Sequence, residues 1–417
     1  MNKALITATI LFFSSLGWAD QNTNLLAKAA SLHERILTID AHADIEIPGR
    51  PSAYVGPDGL SKVAPEKMRA GSLDAVVMAA AVGPKPRTAA GYAEARAIAE
   101  SELSAMVDLA ADPANQVTLA TTTTALLEAH RAGQRGVILG LQNALILGTE
   151  VSAVDHFFAA GVRVFALTHM GHNLFADSSR PLFDAELGSR EPDAEHGGLS
   201  NLGRSAIQRI NALGGIVDIS QLSKQAALQA MTVSKTPVIA SHSNAWALTN
   251  VSRNLSDEEL DAIAATGGVV HIAPFAGYLF DSSDPELDAA IRAVRRKAGI
   301  DENYLYPFEL YWEINDPAVK TEFLTAVRSL LGPINLDTML NHLDYVAERI
   351  GVDHVGIGTD FNHGSGIDGY QDASDALNVT VGLIQRGYSD TDIEKIWGGN
   401  FIRVWRQAEQ ARQKPNT

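Results

Sequence analysis

The chain has 417 residues, 46% of them hydrophobic and 20% charged, an ordinary globular composition with ample length for a large core. Its formal net charge of −16 argues against a nucleic-acid backbone or an anionic membrane as partner, since both would be repelled. It contains no cysteine, which excludes disulfides, thiolate ligands and a lipid-modified cysteine, so a metal site must use His, Asp, Glu or neutral oxygens.

Residues 1–19 read as a signal peptide: Lys3 gives a positive start, Ala4 to Leu16 is apolar, and Gly17-Trp18-Ala19 is a small-residue cleavage site. The expectation is cleavage after Ala19 and export, most simply to a bacterial periplasm, with an uncleaved anchor as the alternative. Residues 20–417 are then one domain. No later stretch is apolar for 18 residues, so no membrane span is expected in the mature chain.

Asn22 to Glu34 has helical spacing. Ile36 to Ile39 reads as a buried strand that runs into His42 and Asp44. In an extended chain residues i and i+2 share a face, so an imidazole and a carboxylate project together, a pairing that suits Zn²⁺. On its own an HxD is as readily a turn or a buried polar pair. After a Gly- and Pro-rich loop, further apolar runs at Asp74–Ala81, Gly136–Leu141, Val162–Leu167, Ile216–Ile219, Pro237–Ala240, Gly268–Ile272 and Val355–Gly358 read as buried strands. Helical patterns alternate with them: Ala89–Ala111, Thr121–Gly133, Val151–Ala160, a helix capped by Ser200 or Asn201 and running to Leu213, Lys224–Met231, and one starting at Ser256 with an acidic first turn.

Strands alternating with helices in this way predict an α/β fold, a (β/α)₈ TIM barrel. A long insertion, residues 275–349, separates strands seven and eight and carries Tyr304, Tyr306, Phe308, Tyr311 and Trp312. It is expected over the barrel mouth or at a homodimer contact, or else packed on the outside. His42 and Asp44 close strand one, Gln142 strand three, His169 strand four, Gln221 strand five, His242 strand six and Asp360 strand eight. In a barrel of this kind those ends face one mouth, where active sites are built. His172, His196 and His363 read as surface residues of loops near that mouth, and His33, His130, His156, His271, His342 and His354 as structural.

These residues carry a family likeness. The stretches Ile39-Asp40-Ala41-His42-Ala43-Asp44, Leu167-Thr168-His169 with Asn173 and Ala176-Asp177, Gly198-Leu199-Ser200, Ser241-His242-Ser243, Ser252-Arg253-Asn254, Gly358-Thr359-Asp360-Phe361 and Gly398-Gly399-Asn400-Phe401 follow one another as they do in the membrane (renal) dipeptidase family. The chain resembles that family from Asp40 to Trp405. The resemblance implies a metallo-dependent hydrolase barrel that cleaves dipeptides at a paired zinc site. By position it implies His42 and Asp44 on a first metal, His242 on a second, Asp360 as proton acceptor for the attacking water, His169 at the scissile carbonyl, and Arg253 on the substrate's free carboxylate.

Two positions depart from the pattern: Gln142 stands where the family has its bridging glutamate, and Gln221 where it has a second-metal histidine. A neutral amide oxygen is a weak zinc ligand and cannot offset two dications, so one zinc per chain is expected rather than two. The leading expectation is a zinc-dependent dipeptidase acting on dipeptides or related small amides, with lactams or acylated lactones as further substrates of the same machinery. The alternative is a metal-poor, non-hydrolytic homologue that binds or tailors a peptide.

Overall fold

The computed structural model describes residues 23–413 except 48, 51, 53, 185–188 and 301–313. The expected signal peptide and the aromatic residues of 304–312 lie outside the described residues. Eight parallel strands follow one another around a barrel: β1 (Ile39–Asp44), β2 (Ala75–Ala81), β3 (Arg135–Gln142), β4 (Val162–Ala166), β5 (Ile216–Asp218), β6 (Ile239–Ala240), β7 (Val269–Ile272) and β8 (Val355–Ile357). The sheet closes just past β8: Asp360 N–H donates to the His42 carbonyl at 2.8 Å and Asp44 N–H to that of Phe361 at 3.0 Å. The TIM barrel read from the alternation is therefore the observed fold. No described helix is long and apolar enough to cross a membrane.

The strands are legible because a parallel sheet covered by helices is buried on both faces, and β2 and β3 read as unbroken apolar runs for that reason. β1 differs. The expected strand at Ile36–Ile39 is displaced: Ile36 sits in a turn after the helix over residues 23–33, and the strand is the polar motif itself. A register shift between Asp40 and Ala43 places an extra residue in β1 against β2. Ile39 and Ala41 pack in the barrel's lower interior, whereas Ala43 joins the outer cluster between wall and helices. The bulge reverses the alternation, turning His42 and Asp44 inward at the mouth.

The bottom of the barrel is closed by the helix Asn400–Ala411. Phe401 and Trp405 pack among Ile39, Val77, Ile138, Val164, Ile216 and Val269. Arg403 and Asn400 hydrogen-bond the carbonyls of Gly267, Asp353 and Val355, at the entries of β7 and β8. The chemistry is thus confined to the other end.

Several elements escaped the sequence reading, among them the helices Pro65–Ala70, Ala376–Gln385 and Asn400–Ala411. Val117–Leu119 forms a short parallel strand on the lower edge of β3, which β4 leaves open by pairing only from Leu139. A two-residue hairpin, Phe183–Asp184 with Ser189–Arg190, lies within the expected polar loop. The stretch 275–349 holds helices Pro285–Lys297 and Pro317–Leu331, which pack on each other, and then Leu336–Ile350, which packs on helix Asp257–Thr266, on β7 and on β8 as part of the barrel's own helical layer.

Gly358, just beyond β8, is pressed against β6: a Cβ there would lie 1.8 Å from the Ser241 carbonyl oxygen. Gly358→Ala must push β8 off β6 and is expected to cost about 1–3 kcal/mol of stability, read from denaturant unfolding. An unchanged midpoint would show that this approach is slack.

Candidate active site at the barrel mouth

Backbone strain clusters where the strands end. Of the six described non-glycine residues with positive φ, four, Asn143, Gln221, Asp360 and Asn362 (90°, 68°, 56° and 65°), follow β3, β5 and β8. Such conformations cost energy for residues with a side chain, and they persist where the surrounding structure fixes them. Here they aim Gln221 and Asp360 at one place. Asp40 secures the seam of the barrel, accepting hydrogen bonds from Thr359 N–H (2.7 Å), Thr359 Oγ1 (2.6 Å) and His42 N–H (3.1 Å), and burial pushes its carboxyl up to about 6.

His42, Asp44, Gln142, Gln221, His242 and Asp360 are brought together, all but fully buried. His42 Nε2 is 3.5 Å from Asp44 Oδ1 and 3.9 Å from Asp360 Oδ1. The His42 and His242 rings stack at 4.0 Å between centroids. Both Gln142 Nε2 and Gln221 Nε2 face His242 Nε2, at 3.4 and 3.2 Å.

A network absent from the sequence reading holds the two imidazoles. The buried Asp218 carboxylate, at the end of β5, accepts from Ser220 N–H, Ser241 N–H and, at 2.5 Å, the Ser241 hydroxyl. With its proton on Asp218, Ser241 Oγ accepts from His242 Nδ1–H at 2.8 Å, leaving the His242 Nε2 lone pair facing the mouth. Asp218 lies within 4.8 Å of ligand atoms of both imidazoles, yet its oxygens are already hydrogen-bonded, so it orients ligands rather than supplying one. The D-x-S spacing of Asp218 and Ser220 is too common at strand ends to mark it in the sequence. Asp218→Asn is expected to lower metal affinity or turnover about 10–100-fold while the fold persists. Equal metal affinity and turnover would remove Asp218 from the site.

His363, expected at the surface of a loop, stays 30% exposed yet reaches into the site. The chain turns back through Asn362 and puts His363 Nδ1 2.8 Å from Asp44 Oδ2, with its ring stacked on Tyr54 and edge-on to His169. Against the effect of burial, Asp44 and Asp360 raise its pKa to about 9, so it is a cation. His172 and His196 serve their loop: their Nε2–H groups donate to the Pro192 and Asn173 carbonyls, and His172, expected at the surface, is buried and accepts from Ser178 N–H at Nδ1. His169 is buried, and neither ring nitrogen has a hydrogen-bond partner. Burial, then Arg180 and His363, hold it well below the usual imidazole range, so it stays neutral with an N–H to donate. Arg253 is buried behind His242, donating to the His242 carbonyl at 3.1 Å and lying 5.1 Å from the Tyr278 ring centroid.

The donor set suits a cation at one position. His42 Nε2 and Asp44 Oδ1 are buried without hydrogen-bond partners. Ligands about 2.1 Å from one tetrahedral zinc lie roughly 3.4 Å apart, close to their 3.5 Å separation. Burial pushes the Asp360 carboxyl up to about 6, and Asp44 and Asp360 raise the pKa of His42 against burial. Beside these groups opens a cavity of about 610 Å³, lined by Arg180, His363, Tyr54, Lys62, Met170 and Phe275 and, from the helix Pro317–Leu331, by Leu324 and Arg328.

The chain matches the family model of the membrane dipeptidases (peptidase family M19) over residues 26–417. It is 31% identical to dipeptidase tcpJ of Claviceps purpurea over 68% of this chain, and 29% identical to dipeptidase aclJ of Aspergillus oryzae over 67%. It spans about half the length of each, 53%. Among solved structures it resembles the probable dipeptidase PvdM of Pseudomonas aeruginosa, with 34% identity, TM-score 0.82, and 93% and 99% of the two chains covered. A metallo peptidase of Rhodobacter sphaeroides, liganded with a phosphinate mimic of L-Ala-D-Ala, shares the fold at 20% identity and TM-score 0.68, covering 89% of this chain and 99% of that one. Fold, motif order and these likenesses agree: the chain belongs to the membrane dipeptidase family.

Proposed function

We propose that the protein is an exported hydrolase of dipeptides or related small amides, working with one zinc ion held by His42, Asp44 and His242. The observation that carries this is the pair of buried, unpartnered donors, His42 Nε2 and Asp44 Oδ1, facing each other 3.5 Å apart beside Asp360. When bound, zinc lowers the pKa of water to about 7 and polarises a carbonyl.

The chain's own residues do the rest. Asp360 takes a proton from the attacking water, a task suited to a carboxylate raised to about 6. The neutral His169 donates its N–H to the carbonyl oxygen as negative charge develops there. Water oxygen bonds to the carbonyl carbon, the C–N bond breaks, and the proton passes from Asp360 to the leaving amine. Arg253 is assigned the substrate's free carboxylate by its place in the family pattern. His363, clamped on Asp44, fixes which Asp44 oxygen faces His42.

Chelation of the purified protein should abolish dipeptide hydrolysis, and zinc should restore it. Hydrolysis that survives complete metal removal would refute the metal-dependent reading. Gln142 and Gln221 favour a second reading, a metal-poor peptide-binding or tailoring homologue. A protein that binds dipeptides but neither retains zinc nor hydrolyses them would establish it.

A further inference from the structure

The side chain that replaces the family's second-metal histidine is not idle. Arg180 Nη2 donates to Gln221 Oε1 at 2.8 Å, and Arg180 is only 5% exposed. A guanidinium has donors only, so the atom of Gln221 that faces it must be the oxygen. The Gln221 NH₂ is then the end that faces His242 Nε2, as the 3.2 Å contact requires. The oxygen that could have served a metal beside His242 is already committed to a cation. The arrangement is anchored on the main chain too: Ser179 N–H donates to the Gln221 carbonyl at 2.9 Å, and the Arg180 carbonyl accepts from Gly171 N–H at 2.8 Å. Arg180 also lines the 610 Å³ cavity together with His363.

We infer that the Arg180 guanidinium, clamped on Gln221, takes the place of a second metal ion: it keeps a second dication from settling at Gln221 and supplies fixed positive charge to the cavity where the scissile group binds. A buried guanidinium repels a dication strongly at this range, since little water screens the pair. The same charge needs no reorganisation to stabilise a developing oxyanion. Its reach is visible in the lowered pKa of His169, to which Arg180 contributes next after burial. The substitutions at 142 and 221 are then one coordinated change, in which a bound dication and its ligands are exchanged for a covalently attached cation and two amides.

The inference rests on the one-zinc reading but can be tested apart from it. Zinc stoichiometry and affinity are measured by titration on four full-length proteins: unaltered, Arg180→Ala, Gln142→Glu/Gln221→His, and the triple variant. The triple variant is expected to take a second zinc at least about tenfold more tightly than the double, because only it has lost the competing cation. Equal second-site affinity in the double and the triple would overturn the exclusion. In otherwise unaltered protein, Arg180→Ala is expected to keep its single zinc and its melting temperature within a few degrees while kcat on a dipeptide falls about 10²–10³-fold. Arg180→Lys, or guanidinium chloride at non-denaturing concentration, should restore part of it. Unchanged kcat in Arg180→Ala would overturn the catalytic half, as would a loss that neither lysine nor guanidinium relieves. If the unaltered protein proves inactive, the hydrolase reading fails, yet the comparison of double with triple variant still decides whether Arg180 bars a second ion.

Discussion

Asp360→Asn is expected to lower kcat for dipeptide hydrolysis by about 10²–10⁴-fold, the range lost with a general base, while the protein still folds and still holds zinc. Three features of this carboxyl set the expectation. It is held in a left-handed backbone conformation that aims it at the mouth, it lies 3.9 Å from His42 Nε2, and burial raises it to about 6 so that it can take and return a proton near neutral pH. Asparagine keeps the shape and loses the basicity. Steady-state kinetics with zinc content measured on the same preparation separates this from a binding defect. A kcat within a few-fold of the unaltered enzyme would assign the proton to another group. Loss of the zinc along with the activity would instead make Asp360 a ligand.

The second large effect belongs to His42. His42→Ala removes one of two donors that are buried without partners, and leaves Asp44 paired to His363 alone. Zinc is expected to be lost on dialysis, and turnover to fall by about 10³-fold or more, since the ion accounts for several kcal/mol of transition-state stabilisation. His33→Ala provides the contrast: that ring is bonded to Thr380 Oγ1 and the Gly71 carbonyl, and its loss should cost stability without moving the zinc content. A His42→Ala protein that still carries zinc and still hydrolyses dipeptides would place the metal elsewhere.

How far these residues could be read in advance depended on what fixed them. The barrel strands were legible because burial on both faces writes them as apolar runs, and strand ends are where a barrel gathers its chemistry; His42, Gln142, Gln221, His242 and Asp360 were found that way. Four features were not legible. The bulge in β1 that turns His42 and Asp44 inward depends on pairing with β2, which no local pattern records. The Asp218–Ser241–His242 relay joins β5 to β6 across 23 positions of sequence, and an aspartate at a strand end looks like any other. His363 is placed by the reversal at Asn362, whose φ of 65° comes from tertiary contacts with Asp44 and Ser61 rather than from its neighbours in sequence. Arg180 likewise sits in a polar loop, where the spacing of residues gives no hint that it reaches Gln221.

Zinc counted per chain in the purified, unaltered protein, alongside its rate on a panel of dipeptides, bears most directly on the account. One tightly held ion per chain with measurable hydrolysis is the predicted result. Two ions per chain, or hydrolysis with none, would contradict it.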